Sequence, residues 1–590
     1  MTVAEKLLKL RRLMAASDID AILIPSTDPH QSEYVADHWQ ERQWISGFTG
    51  SAGTVAITQE HAGLWTDSRY FLQAEAELAG TEFVLHKMSN QFAAPYSDFL
   101  AENLKFGSVV GINGWMFSKA AADNTEKILA TKSIRINKRT DLISQIWTDR
   151  PPLSNLPAYA HETTFAGYSV SDKMSSIRAE MLKQEVDYHY LSALDDIAWT
   201  FNIRGRDVEC NPLVICYAII GSEEAHLFID ELKMPAQLRN DFEKMNIRFH
   251  QYDGLLSFIN NLPETKTILV DKNQCSATIY ESFNCRIKET DSIPRRLKAI
   301  KNDTEIQHIR NAMAKDGAAI ANTFYWLEQT IGNSRITECT LAEKLAENRA
   351  KMQFYAGESF AAIVGYQSNG AIIHYHPMPE SCSEIMPEGI LLVDSGGQYL
   401  DGTTDITRTL ALSTPSDQAK RHYTLILKGM IALSMAKFPQ GTTGAQLDTL
   451  ARQFLWSDGL NYLHGTGHGV GFFLNVHEPP QGFAPNLSER GKTVHEPGML
   501  SSNEPGYYIE GNYGMRIENL ILCKNSSHAG FLEFETMTLY PFDKNLTDTN
   551  LITPSEKEWI NAYHREVYDR VSPLLKGDVL SWFEKLCSPL

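Results

Sequence analysis

Cysteine is sparse in this sequence and is never paired in the way that metal or redox motifs pair it. Eight cysteines are spread from Cys210 to Cys587 among 590 residues, with no C-x-x-C. That spacing excludes a zinc ribbon, offers no disulfide framework, and points to a reducing compartment, the cytoplasm. Long basic runs are also missing: 54 Lys and Arg stand against 72 Asp and Glu, a net charge of −18. Nucleic acid is therefore not an expected partner, and the acidity itself argues only for solubility. No apolar run approaches the ~20 residues that cross a bilayer, so no membrane association is expected. The opening MTVAEKLLKLRRLMAASDID lacks the apolar core and cleavage site of a secretory leader. It reads as an amphipathic helix, with Leu7, Leu8, Leu10, Leu13 and Met14 set among charges.

Apolar residues, 43% of the chain, suffice for several cores. At ~150 residues per domain the length predicts two to four. Two breaks stand out. DRPPLSNLP, 149–157, has three prolines and no periodicity, which marks a linker. Further on, Asn302 reads as an N-cap, with Glu305 three residues later and Ile306, Ile309 and Met313 at helical spacing. The expected domains are thus 1–155, 156–302 and 303–590. The first two look related. DIDAILIPSTDPH and EVDYHYLSALDDI each follow an amphipathic helix, and pair Asp20 with Asp28 and Asp187 with Asp195. Helix followed by strands, twice over, predicts duplicated α/β domains. The last segment alternates strand-like stretches with helices at 416–436 and 445–456, an α+β pattern.

Chemistry concentrates in that last segment. HGTGHGVGFFLNVHE, 464–478, sets His464, His468 and His477 among four glycines at every second position from Gly465 to Gly471. Asp394 ends the strand GILLVD, and Asp405 lies 11 residues on, across the Gly-bearing turn GGQYLDG. Glu504 precedes a proline in NEPGYY, and Glu518 follows 14 residues later in MRIENLIL, where the polar–apolar alternation is imperfect. Each has a plainer reading: Asp394 and Asp405 as hairpin-turn residues, Glu504 as a loop residue, Glu518 as a partner of Arg516, His468 as a structural histidine. Together, four carboxylates and one imidazole suit two divalent cations sharing a water, with Mn2+, Co2+ or Zn2+ as candidates.

The order Asp, Asp at +11, His in HGTGH, Glu in NEPGYY and Glu at +14 in RIEN closely resembles the pita-bread metallopeptidases. Within them the sequence resembles the long, three-domain branch of the Xaa-Pro aminopeptidases. HQSEYVA, SGFTGSAGTVAIT, LWTDSRYFLQA, ALDDIAWTFNIRG, NGAIIHYHP and DGTTDITRT extend the likeness over essentially the whole chain. The resemblance implies two creatinase-type N-terminal α/β domains followed by a pita-bread catalytic domain with a helical C-terminal extension. It implies removal of the N-terminal residue from peptides with proline second, a dinuclear Mn2+-type centre, and a homodimer. Asp394 would bind one metal, Asp405 and Glu518 would bridge, and His468 and Glu504 would hold the second, Glu504 also shuttling a proton. His374, His464 and His477 would bind substrate and stabilise the tetrahedral intermediate. Arg516 would support the site and Arg69 would bind peptide. His477 lies nine residues after His468, where many shorter relatives have seven; the long branch shares the nine. Prolidase, creatinase-like chemistry without metals, and a peptide-binding module that has lost turnover are the rivals.

Overall fold

The computed structural model describes residues 1–88 and 94–590. The chain divides between two units: Met1–Glu162 with Tyr168–Arg295, and Thr163–Gly167 with Arg296–Leu590.

The first unit opens with α1 (Val3–Ala16), capped reciprocally by Thr2 and Glu5. Leu7, Leu10 and Met14 are buried, and Leu8 faces solvent. A six-stranded sheet follows, built from β1 (Ala21–Ile24), β2 (Thr54–Thr58), β3 (Ala62–Thr66), β4 (Phe83–Lys87), β5 (Val109–Ile112) and β6 (Arg135–Asn137), in the order 4-3-2-1-5-6. Of the expected linker, 149–157, all but the first residue lies in a stretch, 150–158, without regular structure. After α2 (Val170–Lys183) the pattern repeats. Here β7 (Tyr188–Leu191), β8 (Tyr217–Gly221), β9 (Ala225–Phe228), β10 (Ile247–His250), β11 (Thr267–Val270) and β12 (Arg286–Glu289) run in the order 10-9-8-7-11-12. Every pairing keeps its sense: antiparallel for β1–β2, β2–β3, β7–β8 and β8–β9, parallel for the rest. The expected Asp pairing is half right. The Asp20 and Asp187 carboxylates accept the backbone N–H of Val109 (2.7 Å) and Thr267 (2.8 Å), the first residues of β5 and β11. Asp28 and Asp195 do not correspond. Asp28 accepts the backbone N–H groups of His30 and Ser32 in a loop, whereas Asp195 lies in the first turn of the helix Leu194–Thr200. His30 joins the two halves of the unit through Ser192 O and Tyr252 OH, both at 2.9 Å.

The second unit begins with α3 (Asp303–Thr330), closed by the expected Asn302–Glu305 capping box. Ile309, Met313, Phe324 and Leu327 face the core. After α4 (Glu338–Arg349), β13 (Ile363–Tyr366), β14 (Ile390–Ser395) and β15 (Ile406–Ala411) make a three-stranded antiparallel sheet. Then come α5 (Asp417–Ser434), β16 (Lys437–Pro439) and α6 (Gly444–Ser457). They are followed by β17 (Gly467–Gly469), β18 (Glu478–Phe483), β19 (Leu500–Asn503), the hairpin β20 (Gly506–Ile509) and β21 (Tyr513–Arg516), β22 (Asn519–Asn525) and β23 (Phe531–Thr536). The larger sheet has the order β16-β23-β22-β19-β17-β18. α7 (Pro554–Val571) buries Ile560, Tyr563 and Val567 in the core of this unit, and α8 (Gly577–Leu586) adds Phe583. No described helix is long and apolar enough to cross a membrane.

Candidate metal centre

Two of the sheets of the second unit bring the carboxylates together. β14 and β15 pair Asp394 with Thr407. Side chains alternate along a strand, so Asp405, two residues before Thr407, shares that face. β19 stops at Glu504 because Pro505 has no N–H to continue a ladder. The imperfect alternation around Glu518 also has a cause. β21 belongs to the small hairpin and β22 to the larger sheet, and the chain crosses between them at Ile517–Glu518. Met515, Arg516, Ile517 and Glu518 are consequently all buried.

Donor atoms of Asp405, His468 and Glu518 lie within 4.8 Å of one another, all three residues being buried. His468 Nε2 is 3.4 Å from Asp405 Oδ2 and 3.5 Å from Glu504 Oε1. Its Nδ1 lies 2.8 Å from Gly469 O. A carbonyl only accepts, so Nδ1 carries the hydrogen and Nε2 keeps the lone pair, which is the tautomer a metal requires. Glu518 Oε2 accepts from Thr407 at 2.8 Å, and Asp394 Oδ2 from Arg516 Nη2 at 2.6 Å. Asp394 Oδ1 and Glu518 Oε1 are buried with no hydrogen-bond donor among the described residues.

Electrostatics say the same. Burial, then the charges of Glu518, Asp394 and Glu504, push the Asp405 carboxyl well above its usual range. Glu518 is raised by burial and by Glu504 and Asp394. Glu504 is pushed up to about 7, chiefly by burial, against the pull of Arg516. Buried like charges with orphaned oxygens are costly unless cations meet them. An oxygen-rich set with one imidazole fits divalent ions of the Mn2+ kind. The residues present therefore fit the expected metals.

Around this cluster, Arg516 spans Asp394, Thr407 Oγ1 (3.1 Å) and Tyr508 OH (2.7 Å). Tyr508 OH in turn lies 3.0 Å from His464 Nε2, and His464 Nδ1 lies 2.7 Å from Gly465 O. A guanidinium donates only, so the phenol hydrogen is left for His464 Nε2. The ring of His477 stands edge-on to that of His468, with centroids 4.3 Å apart. His374 is half-buried three residues beyond the short helical turn Gln367–Ala371. That turn packs on β21 so closely that a Cβ on Gly514 would sit 1.8 Å from Gly370 O. Arg69 belongs to the first unit, where it forms a two-pronged ion pair with Asp67, both contacts at 2.8 Å. Tyr508, Thr407 and Ser502, whose hydroxyl bonds His468 N and Glu504 Oε1, were not legible as site residues. Nothing in a Tyr, Thr or Ser on a strand distinguishes it from ordinary packing.

The glycines of the histidine motif serve strand packing. A Cβ on Gly467 would lie 1.9 Å from Ser502 O, and one on Gly469 2.2 Å from Glu478 O. They let β17 lie close against its neighbouring strands, which is how His468 meets Glu504; they do not clear space for the imidazoles.

Residues 307–525 match the model of metallopeptidase family M24, and 530–590 that of its C-terminal region. Residues 6–144 and 149–305 each match a creatinase/prolidase N-terminal domain. A probable Xaa-Pro aminopeptidase P of Laccaria bicolor is 39% identical, covering all of this chain and 94% of that one. Aminopeptidase P2 of Arabidopsis thaliana is 38% identical, over all of this chain and 89% of its own. The chain belongs to the Xaa-Pro aminopeptidases of metallopeptidase family M24. Its fold is accordingly two creatinase-type domains followed by a pita-bread domain, as the sequence implied. The crystal structure of an X-prolyl aminopeptidase from Caenorhabditis elegans, described as a cytosolic enzyme with a di-nuclear active site, superposes with a TM-score of 0.95. It shares 35% identity, with all of both chains covered. The prolidase of Pyrococcus horikoshii shares the fold over 63% of this chain and 99% of its own, at 23% identity and a TM-score of 0.50.

Proposed function

We propose that this protein hydrolyses the bond between the N-terminal residue of a peptide and a proline in second position, with two divalent cations, Mn2+ first among them. Asp394, Asp405, His468, Glu504 and Glu518 would hold the cations. Bound there, the cations would lower the pKa of a shared water and polarise the scissile carbonyl. The observation that carries the reading is the buried convergence of Asp405, His468 and Glu518 beside two carboxylate oxygens with no donor.

The chain's own groups supply the remaining work. Glu504 takes a proton from the attacking water on a carboxylate oxygen and delivers it to the proline nitrogen as that leaves. The delivery matters because an imide nitrogen has no hydrogen of its own and departs poorly unprotonated. Arg516 holds Asp394 and Tyr508 in place, and Tyr508 holds His464. His464 and His477 flank His468 and bind the substrate backbone around the carbonyl. His374 is assigned to the same task and Arg69 to peptide binding; both assignments rest on the family resemblance. The protein works in the cytoplasm as a homodimer on this reading, supported by the cytosolic C. elegans relative for the compartment and by the family resemblance for the dimer.

The test uses purified protein with Mn2+ on Arg-Pro-Pro, Arg-Pro and Arg-Ala-Ala. Release of arginine from the first, with the other two slow, is expected. Preference for the dipeptide Arg-Pro would transfer the chain to prolidase chemistry. Metal binding without cleavage of any would leave a peptide-binding module.

A further inference from the structure

The first turn of α4 is tied to the segment 367–386 that carries His374. Thr337 and Glu384 form an antiparallel bridge, and Glu338 N–H donates to Ser383 O at 3.0 Å. The buried Glu338 carboxylate accepts from Tyr366 N, Asn369 Nδ2, Tyr375 OH and Ser383 N at 2.7 to 3.1 Å. The bridge and the Glu338–Ser383 bond hold the first turn of α4 against this segment, and there the Cys339 thiol and backbone N–H are hydrogen-bond neighbours of the Cys382 thiol. Both are partly exposed, whereas Cys216, Cys275, Cys285, Cys523 and Cys587 are buried.

The pair is chemically unequal. Burial raises the Cys382 thiol. It is outweighed by hydrogen bonds from the Cys339 thiol, the Cys339 backbone N–H and the Thr337 hydroxyl, which bring it below its usual value. That N–H is one of the donors an α-helix leaves unpaired at its start, where anions are favoured. Burial and the bond to Cys382 push Cys339 up to about 12. Cys382 is thus equipped to attack and Cys339 to resolve.

We propose that Cys339 and Cys382 are a dithiol modification site that exchanges with low-molecular-weight disulfides of the glutathione class and closes as a disulfide. Cys382 loses its proton to solvent and attacks one sulfur of the small disulfide. That S–S bond breaks, and the departing thiolate takes up a proton. Cys339 then gives up its proton, attacks Cys382 Sγ and displaces the second small thiol. Two protein thiols are oxidised and one small disulfide is reduced to two thiols. The new bond fixes the segment holding His374 to α4. The site stands independently of the proposed hydrolysis.

The full-length protein is equilibrated in glutathione buffers of increasing oxidised share, its free thiols are alkylated, and its peptides are mapped by mass. A Cys339–Cys382 cross-link that forms without denaturant and is reversed by dithiothreitol is expected. Cys339→Ser, which keeps a hydroxyl donor beside Cys382, should trap glutathione on Cys382 several-fold faster than on the other partly exposed thiol, Cys210, if the donors of the α4 first turn favour the thiolate. Cys382→Ser should leave Cys339 unmodified, and both variants should keep peptide turnover. Absence of the wild-type cross-link at every glutathione ratio would overturn the proposal, as would capture on Cys382 no faster than on Cys210. The cross-link is mapped on the wild-type chain, so it decides the matter even where a serine variant misfolds.

Discussion

Replacing Asp405 with Asn should stabilise the metal-free protein and destabilise the metal-loaded one. Donor atoms of Asp405 and Glu518 lie within 4.8 Å, and both carboxyls are raised by burial and by each other's neighbours. Two unit charges at that separation repel by ~3 kcal/mol at the effective dielectric that suits such sites. Proton uptake relieves part of this, so the expected gain at neutral pH is about 1–2 kcal/mol, a rise of a few degrees in Tm. The sign with pH follows from the raised pKa values. A carboxyl whose folded pKa lies above its unfolded value contributes stability at low pH, and loses it as pH rises through the folded pKa. For Glu504 that passage ends near pH 7. The advantage of D405N in chelator should therefore be small at pH 5 and widen towards pH 8. With Mn2+ the order inverts: cations at 100 times their Kd stabilise the wild type by ~2.7 kcal/mol per site, which the variant forgoes. Differential scanning calorimetry in chelator and in Mn2+, across pH, measures all of this. A D405N protein less stable than wild type in chelator would refute the reasoning, because the cluster would then be held by hydrogen bonds rather than built for cations.

Tyr508→Phe removes the hydroxyl shared by Arg516 and His464 and should lower kcat roughly 100-fold with little change in KM. Steady-state kinetics on Arg-Pro-Pro, with a urea midpoint shifted by only ~1 kcal/mol, would check it. Gly467→Ala should cost about 2–3 kcal/mol in urea unfolding and weaken metal uptake, since its Cβ would lie 1.9 Å from Ser502 O. Buried His189 and His564 accept backbone N–H groups at Nε2 and are pushed down to about 4 by burial. Depressed pKa values give stability that is full above pH 6.5 and lost on acidification towards 4, by ~3 kcal/mol for each residue. Urea midpoints from pH 7 to 4.5 should fall accordingly, and less steeply in His564→Gln.

What the sequence disclosed and what it withheld follow from the range of each interaction. The Asn302–Glu305 cap, α1 and the strands around Asp394 are set by residues within a few positions of one another, so their pattern is written locally. The candidate cluster stood out in the sequence partly because two of its carboxylates sit at breaks in regular structure, Glu504 before Pro505 and Glu518 at the crossing from β21 to β22. The histidine-motif glycines were visible, but their purpose was not. Gly467 answers to Ser502, 35 residues away, and only the packed sheet makes that distance vanish. Tyr508 is the sharper case. Its role depends on Arg516 and His464 approaching from two sides, and nothing within its own strand records either. Cys339 and Cys382 show the same limit. A spacing of 43 residues with no C-x-x-C reads as scattered cysteine, until the bridge between Thr337 and Glu384 puts the two thiols side by side. Chemistry carried by one motif can be read along the chain; chemistry made where two strands meet has to be read across the fold.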